Sequence, residues 1–334
     1  MDKRDKIYAA ALNALNNVLK INSNDRLLIL SDNYSINIAD SFKLAAYDKG
    51  CKVKVYRIVE SNRPLKEIPE ELFPMLKDQT VVMNILKALP EEIPFRIKWI
   101  FAVEENKNIK CAHMPGITES IMLDGSMDVD YDEMKASAEA LKHLLRNAES
   151  IKITTGEGTD ILLGVKDRAF IDDVNIDAGQ MCNLPCGEVY CAPLENRAEG
   201  TVVFNACISD VGLLNKPLKV KVHGGKIIKF ESEDNGLVRK ITKLTDVDAD
   251  AKIIGELGIG INPGAKITGN MLEDEKVRGT AHIAFGNNAD FPGGGKNNSR
   301  IHRDFLFYNP TIKVNYADKS SRLIINSGKF LFMY

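Results

Sequence analysis

Histidine and tryptophan are scarce in this 334-residue chain, at five and one. Charge of one sign is lacking too. Lys and Arg total 44 against 46 Asp and Glu, a net charge of −2. No basic block reaches five residues, so no nucleic-acid partner is expected. No apolar run approaches the ~18–20 residues of a membrane-spanning helix, so no membrane partner is expected either. The opening stretch MDKRDKIYAAALNALNNVL is interrupted by Asn13, Asn16 and Asn17 and reads as an amphipathic helix rather than a signal peptide. Six cysteines (Cys51, Cys111, Cys182, Cys186, Cys191 and Cys207) lack the spacing of a disulfide framework, which points to a reducing cytoplasm. Cys182, Cys186 and Cys191 are irregularly spaced and have no fourth thiol, so a structural zinc site is not expected there. Neither GxxxxGK[ST] nor G-x-S-x-G occurs, leaving a phosphate loop and a serine-hydrolase elbow without support.

What is present suits a globular protein of two domains, with 44% hydrophobic and 27% charged residues. Ile7, Ala10, Ala11, Ala14, Leu15, Val18 and Leu19 recur at helical spacing over residues 4–20. The run Arg26–Leu30 suits a buried parallel strand, and a helix over Ile38–Lys49 ends at Gly50. Strands are expected at Lys52–Ile58, Thr80–Ile85 and Trp99–Val103. Residues 111–130 read as irregular, and Asp130–Asn147 as a helix. Beyond Ser150 short β-rich runs alternate with Gly, Asn and Asp turns. A hairpin is expected at His223–Gly225, and helices near Asn235–Leu244 and Asp250–Leu257. The expected fold is an α/β domain with a parallel sheet over residues 1–125, then a β-rich α+β domain over 126–334.

Chemistry concentrates late in the chain. His302 and Asp304 form an H-x-D triplet, which puts both side chains on one face if the stretch is a strand. His282 lies 20 residues upstream, across the Gly293–Gly295 stretch, which reads as a flexible turn. Imidazole and carboxylate converging on one point suit a divalent metal. Glu256 is a lone carboxylate within the apolar, glycine-rich IIGELGIGINP, where burial would demand protonation, a partner or a metal. An exposed helix face is the plain alternative. Glu188, in NLPCGEVYCAP, is a candidate oxygen ligand or else a solvated turn residue. His143 and His223 look solvent-facing, and nothing requires His113 at a site.

The motifs MPG (114–116), VDYDEM (129–134), ITTGEGTDI (153–161), NLPCGEVYCAP, EGTVVFNA, GELGIGIN, DEKVRGTAHIAFGNN and SRIHRD resemble, in order, those of the aminopeptidase T/aminopeptidase S family. The resemblance implies two divalent metals per chain, zinc or cobalt, held by Glu188, Glu256, His282, His302 and Asp304. It also implies a homodimer, and removal of N-terminal residues from short peptides by a metal-activated water. Glu188 or Glu256 would be the general base. One departure stands out. Better-known members carry a Tyr seven residues beyond the first His, where this chain has Ala289, followed by Asp290 and Phe291. Asp290 is a candidate replacement oxygen ligand. The same superfamily includes 2,5-dihydroxypyridine dioxygenases with a His/His/Asp iron site, which carry His in place of Glu256. A mononuclear iron dioxygenase using His282, His302 and Asp304, and a non-catalytic ligand-binding scaffold, remain the alternatives.

Overall fold

In the computed structural model, residues 2–123 and 125–332 are described, and the chain divides into two compact units. One runs to Asp132 and takes in Asp173–Cys186; the other comprises Glu133–Asp172 and the chain from Gly187 onward.

The first unit is built on a five-stranded parallel sheet, in the order Lys52–Arg57, Arg26–Ser31, Val81–Leu86, Lys110–Pro115 and Met181–Asn183. The Val81–Leu86 strand is buried at every position, as a central strand covered on both faces requires. Lys52–Arg57 is an edge strand and keeps its lysines at the surface. Helices Lys3–Asn17 and Ile36–Asp48 flank the sheet sequence, and the first is capped by Asp2, whose carboxylate accepts from the Asp5 N–H.

Two sequence expectations fail here. Trp99–Val103 is not a strand but part of the helix Ile93–Glu104. Its aromatic and β-branched run looks strand-like, yet Pro94 starts a helix, and Phe95, Trp99 and Val103 recur every four residues on the buried face. The fourth strand is Lys110–Pro115, whose last five residues lie in the stretch expected to be irregular.

At the end of the Arg26–Ser31 strand, Asp32 is fully buried. It accepts from Ser35 Oγ at 2.8 Å, the Lys87 N–H at 2.7 Å and Arg63 at 2.6 Å. Arg63 also forks onto Glu92 at 2.9 and 2.6 Å. Burial opposes ionising either acid, but the hydrogen bonds to Asp32 (from Lys87, Ser35 and Arg63) and to Glu92 (from Arg63 and the Leu65 N–H) outweigh it. Both carboxyls are held below their usual range.

The second unit holds two antiparallel sheets. The larger has eight strands and includes Ala148–Thr154, Asp160–Gly164, Ala198–Phe204 and the hairpin Leu218–His223/Lys226–Glu231. The other has seven, and its centre runs Glu188–Cys191, Ile254–Gly260, Thr280–Gly286, His302–Tyr308. Phe204 of the larger sheet packs against Phe285, Phe305 and Phe307 of the other, with ring centroids 5.1–6.4 Å apart. These odd-numbered positions of the His282 and His302 strands fill the core, so the even-numbered positions face the other way. The helix expected around Asp250–Leu257 is instead the strand Ile254–Gly260, buried along its whole length. Three glycines in seven residues disfavour helix, while both buried faces suit a central strand. Among the described residues no helix is long and apolar enough to cross a membrane.

Candidate metal centre

Strand register brings the candidate ligands together. Gly260 pairs with Glu188, Gly258 with both Tyr190 and His282, Ala284 with both Glu256 and Asp304, and Gly286 with His302. Directly paired residues point to the same side of a sheet, so Glu188, Glu256, His282, His302 and Asp304 all share the face opposite the phenylalanine core. Two of the glycines on this face have a steric reason that bears on the ligands. A Cβ on Gly258 would lie 2.1 Å from Cε1 and Nε2 of His282. Without one, the imidazole lies flat over the strand and reaches the carboxylates beyond it. A Cβ on Gly260 would come within 2.2 Å of the Val277 carbonyl oxygen, so the 276–277 backbone can lie against the strand only at glycine.

Nε2 of His282 is 3.4 Å from Glu188 Oε2 and 3.6 Å from Glu256 Oε1. The other oxygen of Glu256, Oε2, is 2.9 Å from His302 Nε2, which lies 3.3 Å from Asp304 Oδ1. The ligand atoms thus form two convergent groups, Glu188/Glu256/His282 and Glu256/His302/Asp304, each with its atoms within 4.8 Å of one another. Glu256 belongs to both. His282 is almost wholly buried, while His302 stands at the rim with 30% of its side chain exposed.

Surrounding groups fix the orientations. Nδ1 of His302 lies 2.8 Å from the Asn287 carbonyl oxygen, which can only accept, so Nδ1 carries the proton and Nε2 faces the carboxylates. Ser209 Oγ donates to Asp304 Oδ2 at 3.3 Å and accepts from the Asp304 N–H at 3.1 Å. The segment between the histidines, expected to be a flexible turn, is anchored on both sides of its glycines. Asn288 accepts from the Asn297 N–H at 2.8 Å and donates to the Gly255 carbonyl at 3.1 Å, and Asn297 donates to the Gly286 carbonyl at 2.6 Å. Gly293 and Gly294 serve a backbone with φ of +92° and +101°.

Burial works against the charged forms throughout, and ion pairing overrides it. His282 is pushed up to about 9 despite burial, by its hydrogen bond to Glu256 and the charges of Glu188, Glu256 and Asp304. His302 is raised well above the ordinary imidazole value, mainly by Asp304 and Glu256. Glu256 and Asp304 are held below the usual carboxylate range by the two imidazoles. For Glu275, burial prevails and raises the carboxyl.

The donor set fits a divalent cation. Three carboxylates and two imidazoles with mostly buried side chains supply the oxygen and nitrogen ligands that zinc-like ions take. Without a cation the imidazoles must carry the neutralising charge, and Nδ1 of His282 is buried with no hydrogen-bond partner.

Other candidates lie elsewhere. Asp290 is exposed and accepts from Asn287, outside both convergent groups. His113 is buried beside Asn84 and, with burial and then Arg96 opposing its charge, pushed down to about 3, which keeps it neutral. Exposed His223 pairs with Glu199. All six cysteines are free thiols, and neither convergent group contains one. Sequence reasoning missed Lys276 and Glu275. Lys276 is 1% exposed, with Nζ 2.5 Å from Glu188 Oε1 and 2.8 Å from Glu275 Oε1. The only signal was the DEK tripeptide just before a buried strand, and such charge runs are normally solvated.

The chain belongs to the thermophilic metalloprotease (M29) family, whose model matches residues 112–330, a stretch that includes all five candidate ligands. Membership implies a divalent metal. Among curated proteins it is similar to aminopeptidase T of Thermus aquaticus, 30% identical over 181 residues, covering 48% of this chain and 43% of that protein. Aminopeptidase T of Thermus thermophilus is 28% identical over 199 residues, covering 53% of this chain and 48% of that protein. The matches thus span about half the length of these relatives. Two solved structures share the fold, each with a TM-score of 0.72 and 16% identity. They are wild-type AmpT from Thermus thermophilus (99% of this chain, 100% of that one) and 2,5-dihydroxypyridine dioxygenase from Pseudomonas putida KT2440 (98% and 97%). At that identity the likeness shows the fold alone.

Proposed function

We propose that this protein is a metal-dependent aminopeptidase that removes N-terminal residues from short peptides. The observation that carries the reading is the shared position of Glu256, whose two oxygens turn toward different imidazoles in two ligand groups. Two divalent cations, one held by each group, would share Glu256 as a ligand. A single-iron dioxygenase would need His282, His302 and Asp304 to converge, yet His282 falls in one group and the other two residues in the second.

Divalent ions bound there, zinc or cobalt in this reading, would activate a water and polarise the scissile carbonyl. The chain's own residues hold that site in order. Glu188 and His282 define one position, His302 and Asp304 the other, and Glu256 spans both. Asn287 fixes the tautomer of His302, and Ser209 turns Asp304 so that Oδ1 faces the site. Glu188 and Glu256 are the two carboxylates from which a general base would come. A cytoplasmic location, read from the cysteine usage, and a homodimer, which rests on the family resemblance, complete the proposal.

The test is metal content per chain, in protein purified without chelator, for wild type and Glu256→Ala, followed by hydrolysis of a broad set of short peptides. Two zinc- or cobalt-type ions in wild type, falling to one or none in the variant, with N-terminal residues released, are expected. One iron unaffected by the substitution would replace this reading with the dioxygenase. No metal after supplementation would leave a binding scaffold.

A further inference from the structure

We infer that Lys276 is a positioning residue that makes Glu188 a one-oxygen metal ligand, holding one carboxylate oxygen so that the other is presented to the site. The inference rests on the metal centre proposed above.

The geometry divides the two oxygens of Glu188. Oε1 accepts from Lys276 Nζ at 2.5 Å, while Oε2 is the atom 3.4 Å from His282 Nε2. Oε2 belongs to the ligand side and Oε1 to the lysine. The ammonium also reaches Glu275 Oε1 at 2.8 Å, so it sits between two carboxylates. With side chains only 1% and 9% exposed, Lys276 and Glu188 meet where water screens them little. A buried ammonium is costly to desolvate, so its place needs a compensating role.

Backbone fixes the lysine in turn. The Lys276 carbonyl accepts from the Asn262 N–H at 2.8 Å, and the Asn262 carbonyl from the Arg278 N–H at 3.0 Å. Gly260 lets residues 276–277 lie against the strand, and Gly260 is also the residue paired with Glu188. The register that places Glu188 on the metal face therefore brings Lys276 beside it. Lysine suits the task better than arginine. A compact tetrahedral ammonium can serve two carboxylates at an angle, whereas a planar guanidinium tends to take both oxygens of one.

What Lys276 does is restrict denticity. With both oxygens available, Glu188 could chelate one ion. With Oε1 occupied, it offers Oε2 alone and leaves a coordination position open for water or substrate.

The experiment is a Co2+ titration of chelator-stripped full-length protein, read by visible d–d absorption and by competition with a chromophoric chelator. The chains compared are wild type, Lys276→Met, Glu188→Ala and the double variant. Lys276→Met is expected to change Co2+ affinity at the Glu188 position by about 10–100-fold, the usual effect of losing a residue that orients a ligand. It should also alter the d–d spectrum, because the coordination of Glu188 changes. In the Glu188→Ala background the same substitution should change neither reading, since no carboxylate is left to orient. Circular dichroism reports folding. Should Lys276→Met not fold, Lys276→Gln gives the same comparison with a polar end in the same space. Wild-type affinity and spectrum in the lysine variant would overturn the inference. So would an equal loss in the Glu188→Ala background, which would mean that Lys276 supports the scaffold and not this ligand. A wild type that binds no Co2+ is a different failure: it removes the metal centre itself, and the inference with it.

Discussion

Each unit of this protein buries a cluster of charges, and the two are balanced differently. In the first unit, Asp32 and Glu92 meet Arg63, and Arg96 adds a second guanidinium close enough to be felt by Glu92. Two acids face two fixed cations, and backbone and hydroxyl donors take up further acceptor capacity. In the second unit, among the described residues, Glu188 and Glu275 pair with Lys276, and Glu188, Glu256 and Asp304 face two imidazoles. A buried cluster that neutralises itself is a structural device. One with several more carboxylates than fixed cations must draw its positive charge from protonated imidazoles or from a bound cation, as a candidate binding site would.

The largest effect that could break the comparison is expected at Arg63. Arg63→Met leaves two buried carboxylates without their main partner and should cost about 3–5 kcal/mol, read by urea denaturation at neutral pH. The pH dependence follows from the depressed carboxyls. Asp32 and Glu92 titrate below their ordinary values of 3.8 and 4.5, so their contribution is complete above those values and is lost as pH falls through the folded-state values. Wild type should weaken on acidification below about pH 4. In the variant that component should shrink or reverse, because unpaired buried acids favour the protonated form. An Arg63→Met protein as stable as wild type at pH 7 would mean that the cluster does not brace the first unit.

A smaller effect is expected at Gly258, and it tests the other side of the comparison. Gly258→Ala places a methyl group 2.1 Å from the His282 ring, so the imidazole must leave its position over the strand. Metal affinity should fall about 10–100-fold, whereas folding stability should drop by only about 1–3 kcal/mol. Calorimetric titration with Zn2+ and thermal melts of the chelator-stripped protein separate the two. Unchanged affinity would show that the flat placement of His282 is not needed for binding.

The same glycine shows what the chain disclosed in advance. An H-x-D triplet on a strand carries its meaning locally, and a carboxylate isolated among isoleucines and glycines does so only in part. Period-two alternation sends His302 and Asp304 to one face, whereas the apolar neighbours of Glu256 leave burial and an exposed helix face both open, which the strand decides. The two-domain α/β and β-rich order was legible for the same reason, since runs such as Arg26–Leu30 and the turn at His223–Gly225 are written in consecutive residues. Trp99–Val103 misled because four of its five residues favour strands, yet only Trp99 and Val103 fall on the buried face of a helix that Pro94 starts five residues earlier. Lys276 was out of reach altogether. Nothing within the tripeptide DEK separates a buried ammonium from a solvated one. Its burial depends on Gly260, 16 residues away, and on Glu188, 88 residues away.

The smallest effect is expected at Ser209, and it asks whether carboxylate orientation or imidazole placement limits the centre. Ser209 Oγ supports Asp304 through a donated bond of 3.3 Å and an accepted one of 3.1 Å, both weaker than a charge-assisted bond of ideal length. Asp304 also meets His302 Nε2 at 3.3 Å through its other oxygen, so Ser209→Ala leaves the carboxylate one partner short but still held. Loss of such a hydroxyl should cost about 1 kcal/mol of stability. It should weaken metal binding by less than about tenfold, below the expectation for Gly258→Ala. Running the same zinc titration on both variants ranks them. If Ser209→Ala proves the more damaging, the centre is limited by how Asp304 is aimed, and the space over Gly258 matters less than the fold of the strand implies.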